Sequence, residues 1–130
     1  MKILILAIGS RGDVQPYVAL GHGLQQLGHD IALCTGTLFQ EMVTQYGLEF
    51  WPMDDEMIRM ADSPEARQMI EGGGNPLKAI NLVKPMIRRM AADIWQAAQA
   101  VRPDLIIYHP KALGGYHTAE ALGVPIILSV

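Results

Sequence analysis

Cysteine is almost missing from this sequence. Cys34 is the only one, so no disulfide closes within the chain. It sits in an apolar run, and a buried, inert thiol in a reducing, cytoplasmic compartment is the expectation. Long apolar stretches are missing as well: none reaches the roughly 18 residues of a membrane-spanning helix. The opening run, Ile3 to Ile8, is short for a secretory leader and has no small-residue cleavage site behind it. Positive charge is scarce. Lys and Arg number 10 against 13 Asp and Glu, which leaves no basic footprint for nucleic acid. His22, His29, His109 and His117 stand at no metal-ligand spacing, so no histidine metal site is expected. What is present is apolar: half of the 130 residues are hydrophobic and 18% are charged, a balance that suits one folded domain rather than a disordered polypeptide.

Strand and helix signals alternate along the chain. Lys2 to Ile8 reads as a strand buried on both faces. Val14 to Leu27 has helical spacing, with Tyr17, Leu20, Leu24 and Leu27 inward and Gly28 as its C-terminal stop. Gly21 and Gly23 lie inside it at a cost of about 1 kcal/mol each relative to Ala, which argues for close packing there. Asp30 to Thr35 is a second strand. Thr37 to Tyr46 is a short helix with Leu38, Met42 and Val43 inward, halted by Gly47, and Leu48 to Pro52 is a third strand. From Met53 to Asn75 the pattern dissolves. This reads as a mobile insertion, with a helical turn or two between Pro64 and Glu71 and with Asp54 and Asp55 as either solvated loop charges or a metal pair. Its Met53, Met57, Met60 and Met69, with Ile58 and Ile70, make it either a loosely packed insertion or an adaptable lid over an apolar ligand.

A long helix follows, from Pro76 to Val101, with an apolar stripe of Leu77, Ile80, Val83, Ile87, Met90, Ile94, Ala98 and Val101. Pro76 suits its first turn, and Pro85 is expected to kink or break it. Lys84, Arg88 and Arg89 form a basic patch on this helix. A solvated face is the default reading, and peripheral membrane contact the alternative. Asp104 to Tyr108 is a fourth strand, Lys111 to Leu122 holds a last helix ended by Gly123, and Val124 to Val130 is a fifth strand. This order predicts an α/β domain: a doubly wound, Rossmann-like parallel sheet with right-handed crossovers. A chain that stops on a strand, with no helix after it, is expected to be part of a longer polypeptide.

In such sheets ligands bind beyond the C-terminal strand ends. There the first strand delivers Gly9-Ser10-Arg11-Gly12-Asp13, directly before a helix. The Gly-Lys-Ser/Thr ending of a P-loop is absent. The dinucleotide fingerprint needs a third glycine and an acid at the end of the second strand, where Leu33-Cys34-Thr35-Gly36 stands instead, so NAD binding is not expected. Asp13 has two compatible readings: the N-cap of the first helix, bonding amides near Gln15, or an ionised carboxylate placed to take a proton from an alcohol.

The run Gly9-Ser10-Arg11-Gly12-Asp13-Val14-Gln15-Pro16-Tyr17-Val18-Ala19-Leu20 closely resembles the opening of the sterol and antibiotic-aglycone glucosyltransferases. These belong to the glycosyltransferase family 28 N-terminal domain family and have the two-domain GT-B architecture. The likeness continues through Gly23-Leu24, Gly28-His29-Asp30-Ile31, Phe39, Tyr46-Gly47-Leu48-Glu49-Phe50 and Ala119-Glu120-Ala121-Leu122-Gly123-Val124-Pro125. The resemblance implies an acceptor-side domain, residues 1–130, of an enzyme that transfers a sugar, with inversion, from a nucleotide donor such as a UDP-sugar. The recipient is a hydroxyl on a sterol, lipid or other aglycone. It implies Asp13 as general base, Ser10, Arg11 and Gly12 along the same cleft, and neither metal nor cofactor, which leaves Asp54 and Asp55 as solvated loop charges rather than a metal pair. It also implies a C-terminal donor-binding domain, absent from this chain and supplied in cis or by a separate partner chain. Without it no turnover is expected, and a non-catalytic acceptor-binding subunit is the alternative. His109-Pro110-Lys111 follows the fourth strand, and Gly114-Gly115-Tyr116 resembles the second glycine loop of the murein lipid glycosyltransferase. His109, Gly114 and Gly115 therefore join the expected substrate-binding set, while the other three histidines read as structural or solvent-facing.

Overall fold

The computed structural model describes residues 1–129 except 62, 66, 67, 69–71, 74 and 113. Five strands, β1 (Lys2–Leu6), β2 (Asp30–Thr35), β3 (Glu49–Pro52), β4 (Leu105–Tyr108) and β5 (Ile126–Leu128), form one sheet in the order β3-β2-β1-β4-β5, every neighbouring pair parallel. The doubly wound α/β sheet expected from the sequence is therefore the fold. Because side chains alternate across a strand, β1 and its extension feed two cores. Leu4, Leu6 and Ile8 enter one with Ala32, Cys34 and Ile106, and Ile3, Ile5 and Ala7 enter the other with Ile31, Leu33 and Ile107. The first core is closed by the long helix α4 (Pro76–Val101) and by α5 (Gly115–Leu122). The second is closed by α1 (Arg11–Gln26) and α2 (Gln40–Gln45), the latter entered by a 3₁₀ turn, Thr37–Phe39. Burial pushes the Cys34 thiol far up and keeps it protonated.

Helix stops fall where glycine supplies left-handed backbone: Gly28, Gly47 and Gly123 all have positive φ. The two helix-interior glycines differ. At Gly21 a Cβ would meet Leu48 at 3.1 Å, Ile31 at 3.2 Å and Ile5 at 3.3 Å, so its absence lets α1 lie close on the sheet. Gly23 faces open space, and the close packing expected there is not found.

Several inward assignments are corrected. Leu27 and Leu38 are each 76% exposed and Leu20 is exposed too, whereas Val14, Tyr17, Val18 and Gly21 carry the buried face of α1. Leu77 is 69% and Ile80 59% exposed. The reason is length: a helix of 26 residues spans about 39 Å, more than strands of three to six residues can cover, and only its Met86-to-Val101 part lies on the sheet. Pro85 does not break α4, which runs unbroken from Pro76, with the Asn75 side chain accepting from the Leu77 amide at 3.0 Å.

The start of the segment read as a mobile insertion is ordered by contacts. Met53 is buried, its amide donates to the Thr35 carbonyl at 2.9 Å, and Glu56–Ala61 form a helix, α3. Asp54 and Asp55 are not solvated loop charges: Asp54 pairs with Arg89, which removes that arginine from the basic patch, and Asp55, 7% exposed, pairs with Arg59. Most of the turns expected between Pro64 and Glu71, and the side chains of Met69 and Ile70, lie outside the described residues.

Gly21→Leu is expected to destabilise the fold by about 1–3 kcal/mol through overpacking. Gly23→Ala is expected to stabilise it by about 0.5–1 kcal/mol through helix propensity. Urea denaturation midpoints of both variants against the parent check the opposite signs.

Candidate functional site

The winding of the sheet reverses at β1. The chain leaves it for β2 and β3 on one side and returns to β4 and β5 on the other, so the loops after β1 and β4 diverge and leave a crevice between them. The loop after β1 turns at Gly9, whose φ of +129° is a backbone conformation that side chains avoid. A Cβ there would run into the Asp13 carboxylate, so glycine is what allows that carboxylate to fold back over the turn.

Helix α1 starts at Arg11, three residues earlier than its apolar pattern suggests, with Ser10 as N-cap and Asp13 in the third helical position. Asp13 is thus not the N-cap. Its Oδ2 reaches back and accepts from the Ser10 amide at 2.8 Å and the Ser10 hydroxyl at 2.9 Å, the acidic half of a capping box. Its Oδ1 has no partner among the described residues. The Ser10 amide, then the Ser10 hydroxyl, hold the carboxyl below its ordinary range against slight desolvation, with smaller help from Lys111 and His109. Asp13 is therefore an ionised carboxylate at neutral pH, one oxygen tethered and the other free.

That carboxylate lines a cleft of about 220 Å³ with Gly12, Pro16 and Tyr17 of α1, His109 after β4 and Ser129 after β5. Pro16 has no N–H to give the Gly12 carbonyl four residues earlier, so this helical turn lacks one internal bond at the cleft. The ring of Tyr17 meets that of His109 edge to face, centroids 5.9 Å apart, and its hydroxyl donates to the Ser129 carbonyl at 2.9 Å. His109 is placed by its own amide, which donates to the Leu6 carbonyl at 2.8 Å, and its Nδ1 accepts from the Lys111 amide at 3.0 Å. An accepting Nδ1 puts the proton of the neutral ring on Nε2. Burial pushes the imidazole pKa down and outweighs the opposing charge of Asp13, which favours that neutral, donating form.

The structure thus brings Gly12, Asp13 and His109 together, with Ser10 behind Asp13. Arg11 points elsewhere and lines a groove between α1 and α2 with Gln15 and Tyr46. Gly114 and Gly115 serve close packing: a Cβ on Gly114 would meet Ala91 of α4 at 3.1 Å, and one on Gly115 would meet Leu6 at 3.0 Å. Sequence reasoning missed Tyr17 and Ser129 as cleft residues. Tyr17 counted as core, and nothing local marks a carbonyl at the end of a strand. It also missed a second cleft, of about 260 Å³, beside the Gly9–Ser10 turn, lined by Leu38, Phe39, Asp55, Ile58 and Arg59. Among the described residues no three His, Cys, Asp or Glu side chains gather as metal ligands.

Residues 3–130 match the glycosyltransferase family 28 N-terminal domain. The chain is 35% identical to a sterol 3-beta-glucosyltransferase of Arabidopsis thaliana, across 97% of this chain and 22% of that protein. It is 36% identical to the sterol 3-beta-glucosyltransferase of Candida albicans, across 95% of this chain and 8% of that one. It therefore spans about a fifth or less of the length of these curated relatives. Among solved structures it resembles the Streptomyces sp. SF2575 glycosyltransferase SsfS6, with a TM-score of 0.70 and 27% identity over 98% of this chain and 38% of that one. The same enzyme has been solved with thymidine diphosphate bound. The calicheamicin glycosyltransferase CalG4, at 19% identity and a TM-score of 0.69, shares the fold. A strand-end loop that reads as a glycosyltransferase motif, a sheet that superposes on glycosyltransferase structures and a family match over nearly every residue converge: the chain belongs to the glycosyltransferase family 28 N-terminal domain family.

Proposed function

We propose that this chain is the acceptor-side half of a GT-B glycosyltransferase, with Asp13 as the general base of an inverting transfer from a nucleotide-sugar, such as a UDP-sugar, to an acceptor hydroxyl. The observation that carries the reading is the Asp13 carboxylate itself, tethered through Oδ2 to Ser10, free at Oδ1 and set in a cleft at the switch point of the sheet. In this reaction Asp13 takes the acceptor proton, the acceptor oxygen bonds to the anomeric carbon, and the bond from that carbon to the nucleotide diphosphate breaks. A carboxylate held below its ordinary pKa is a weak base. It serves best when the proton moves late, as the new bond forms and the hydroxyl becomes acidic. Neutral His109 donates from Nε2 to a substrate oxygen in the same cleft.

Gly12 borders the bound acceptor and Ser10 orients the base. Arg11, Gly114 and Gly115 do not line the Asp13–His109 cleft, and their place in the proposed substrate-binding set rests on the resemblance of their loops alone. The nucleotide-sugar is held mainly by a donor-binding domain joined in cis or supplied by a partner chain. The names of the curated relatives and the apolar side chains beside the Gly9–Ser10 turn support a sterol or similarly apolar acceptor. Exposed Leu77, Ile80 and Leu82, with Lys84 and Arg88 on the same helix, support peripheral contact with a membrane that holds such acceptors. A cytoplasmic location is part of the proposal, on the single reduced thiol of Cys34.

Asp13→Asn keeps an oxygen for the Ser10 amide but removes the base. In the enzyme assembled with its donor-binding domain it is expected to lower transfer about 10²–10⁴-fold, with a denaturation midpoint only slightly lowered by loss of the charge at the helix N-terminus. Transfer at the parent rate would sink the assignment. His109 is expected to titrate by NMR below the ordinary imidazole value near 6.5. Between that value and its own, the unfolded chain binds more protons than the folded one, so the contribution of His109 to stability is lost as pH falls through this window. A midpoint above the ordinary value would contradict the half-buried, neutral ring.

A further inference from the structure

The second cleft has two walls of different origin. One is Leu38 and Phe39 at the end of β2, with Leu38 almost fully exposed. The other is α3, which contributes Ile58 and Arg59. Between them lies the Gly9–Ser10 turn, so the cleft is backed by the residue whose hydroxyl and amide hold Asp13. An apolar body seated there borders Ser10, the residue that holds Asp13.

A six-residue helix does not hold itself in water, because nucleating it costs more than so few bonds return. Here α3 is tied to the long helix at its first turn. Asp93 Oδ2 accepts from the Asp54 amide at 2.8 Å. Asp54 divides its two oxygens: Oδ1 accepts from the Glu56 amide at 3.0 Å, and Oδ2 accepts from Arg89 Nε at 2.9 Å. Arg89 then uses Nη2 to reach Glu56 Oε2, also at 2.9 Å. The Glu56 amide first, then the Arg89 guanidinium with smaller help from Arg59, hold the Asp54 carboxyl below its ordinary range against partial desolvation. Arg89 and Asp93 stand four residues apart on α4, on one face of it, so one stretch of the long helix carries the polar part of the attachment, beside the packing of Met57 and Ile58 on the core. Below, buried Asp55 pairs with Arg59 at 3.0 Å and fits under Gly36, where a Cβ would strike its carboxylate.

We infer that Arg89 is a positioning residue for the acceptor: from the long helix, through Asp54 and Glu56, it fixes α3 as the wall of a second apolar cleft that seats the ring body of the acceptor beside the Ser10–Asp13 pair. The inference rests on the proposed acceptor-side role and adds a residue that touches neither substrate nor base. Lysine cannot do the same work, since one ammonium lacks the planar fork that spans two carboxylates.

The test compares the chain with its Arg89→Met and Arg89→Lys variants by two readouts. Amide hydrogen exchange reports α3, and titration with a fluorescent 3β-hydroxysterol reports the cleft. Arg89→Met is expected to speed exchange at Glu56–Ala61 at least tenfold while β1 amides keep their rates, and to weaken sterol binding at least threefold, with Arg89→Lys in between on both scales. Unchanged exchange at α3 overturns the inference. So does faster exchange with unchanged sterol affinity, which would show that the α3 wall does not serve the acceptor. Faster exchange in the variant when the parent itself binds no sterol overturns the acceptor reading, and the inference with it, although Arg89 still holds α3. The two failures are thereby told apart.

Discussion

The burial of β1 is the constraint from which the rest of this domain follows. Its backbone is paired on both edges, to β2 and to β4, and every side chain from Leu4 to Ile8 is removed from water. A strand in that position must be apolar on both faces and must be followed by a loop that leaves the sheet at once. Gly9 provides the exit. Because β4 shares the other edge of β1, the loop after β4 leaves beside it, and His109 is registered by its amide bond to Leu6. The candidate site is thus a by-product of strand pairing: two loops separate at the end of the best-buried strand, and the polar groups they carry face one another across the gap.

Within that gap the two titratable groups are biased by different means. Asp13 is kept charged by hydrogen bonds from a residue three positions away, a device contained within one loop and one helical turn. His109 is kept neutral by burial and by the amide placed at its Nδ1, a device that needs Tyr17 from another element against its ring. A charged acceptor of protons thus sits beside a neutral donor of hydrogen bonds. That pairing suits chemistry in which a hydroxyl loses a proton while a neighbouring oxygen takes up negative charge.

What the sequence reveals of this molecule divides along the range of the interactions involved. Strand runs, helix stops at Gly28, Gly47 and Gly123, and the parallel winding are local or periodic signals, and all are found. The Gly9–Asp13 loop is legible because its chemistry is held in five adjacent residues. Periodicity does not reveal how far a helix outruns the sheet beneath it, so Leu77 and Ile80 read as core and are not. Nor does it separate Gly21, pressed on Leu48, from Gly23, which touches nothing. Asp54 and Asp55 mislead most. Paired acids in an aperiodic stretch look solvated, and only a partner 35 positions further on, Arg89, makes Asp54 structural.

The bond from the Tyr17 hydroxyl to the Ser129 carbonyl joins positions 112 residues apart. It closes the cleft with the end of β5, using a side chain from α1. During synthesis on the ribosome, β1 and α1 emerge long before that carbonyl exists. Asp13 can be capped by Ser10 early, since that contact is local, but the wall opposite it appears only after the residues from Tyr17 to Ser129 have left the exit tunnel. Contacts of such sequence separation form late and slowly. A nascent chain therefore carries the carboxylate well before it carries a pocket, and the site acquires its shape only when β5 has joined the sheet.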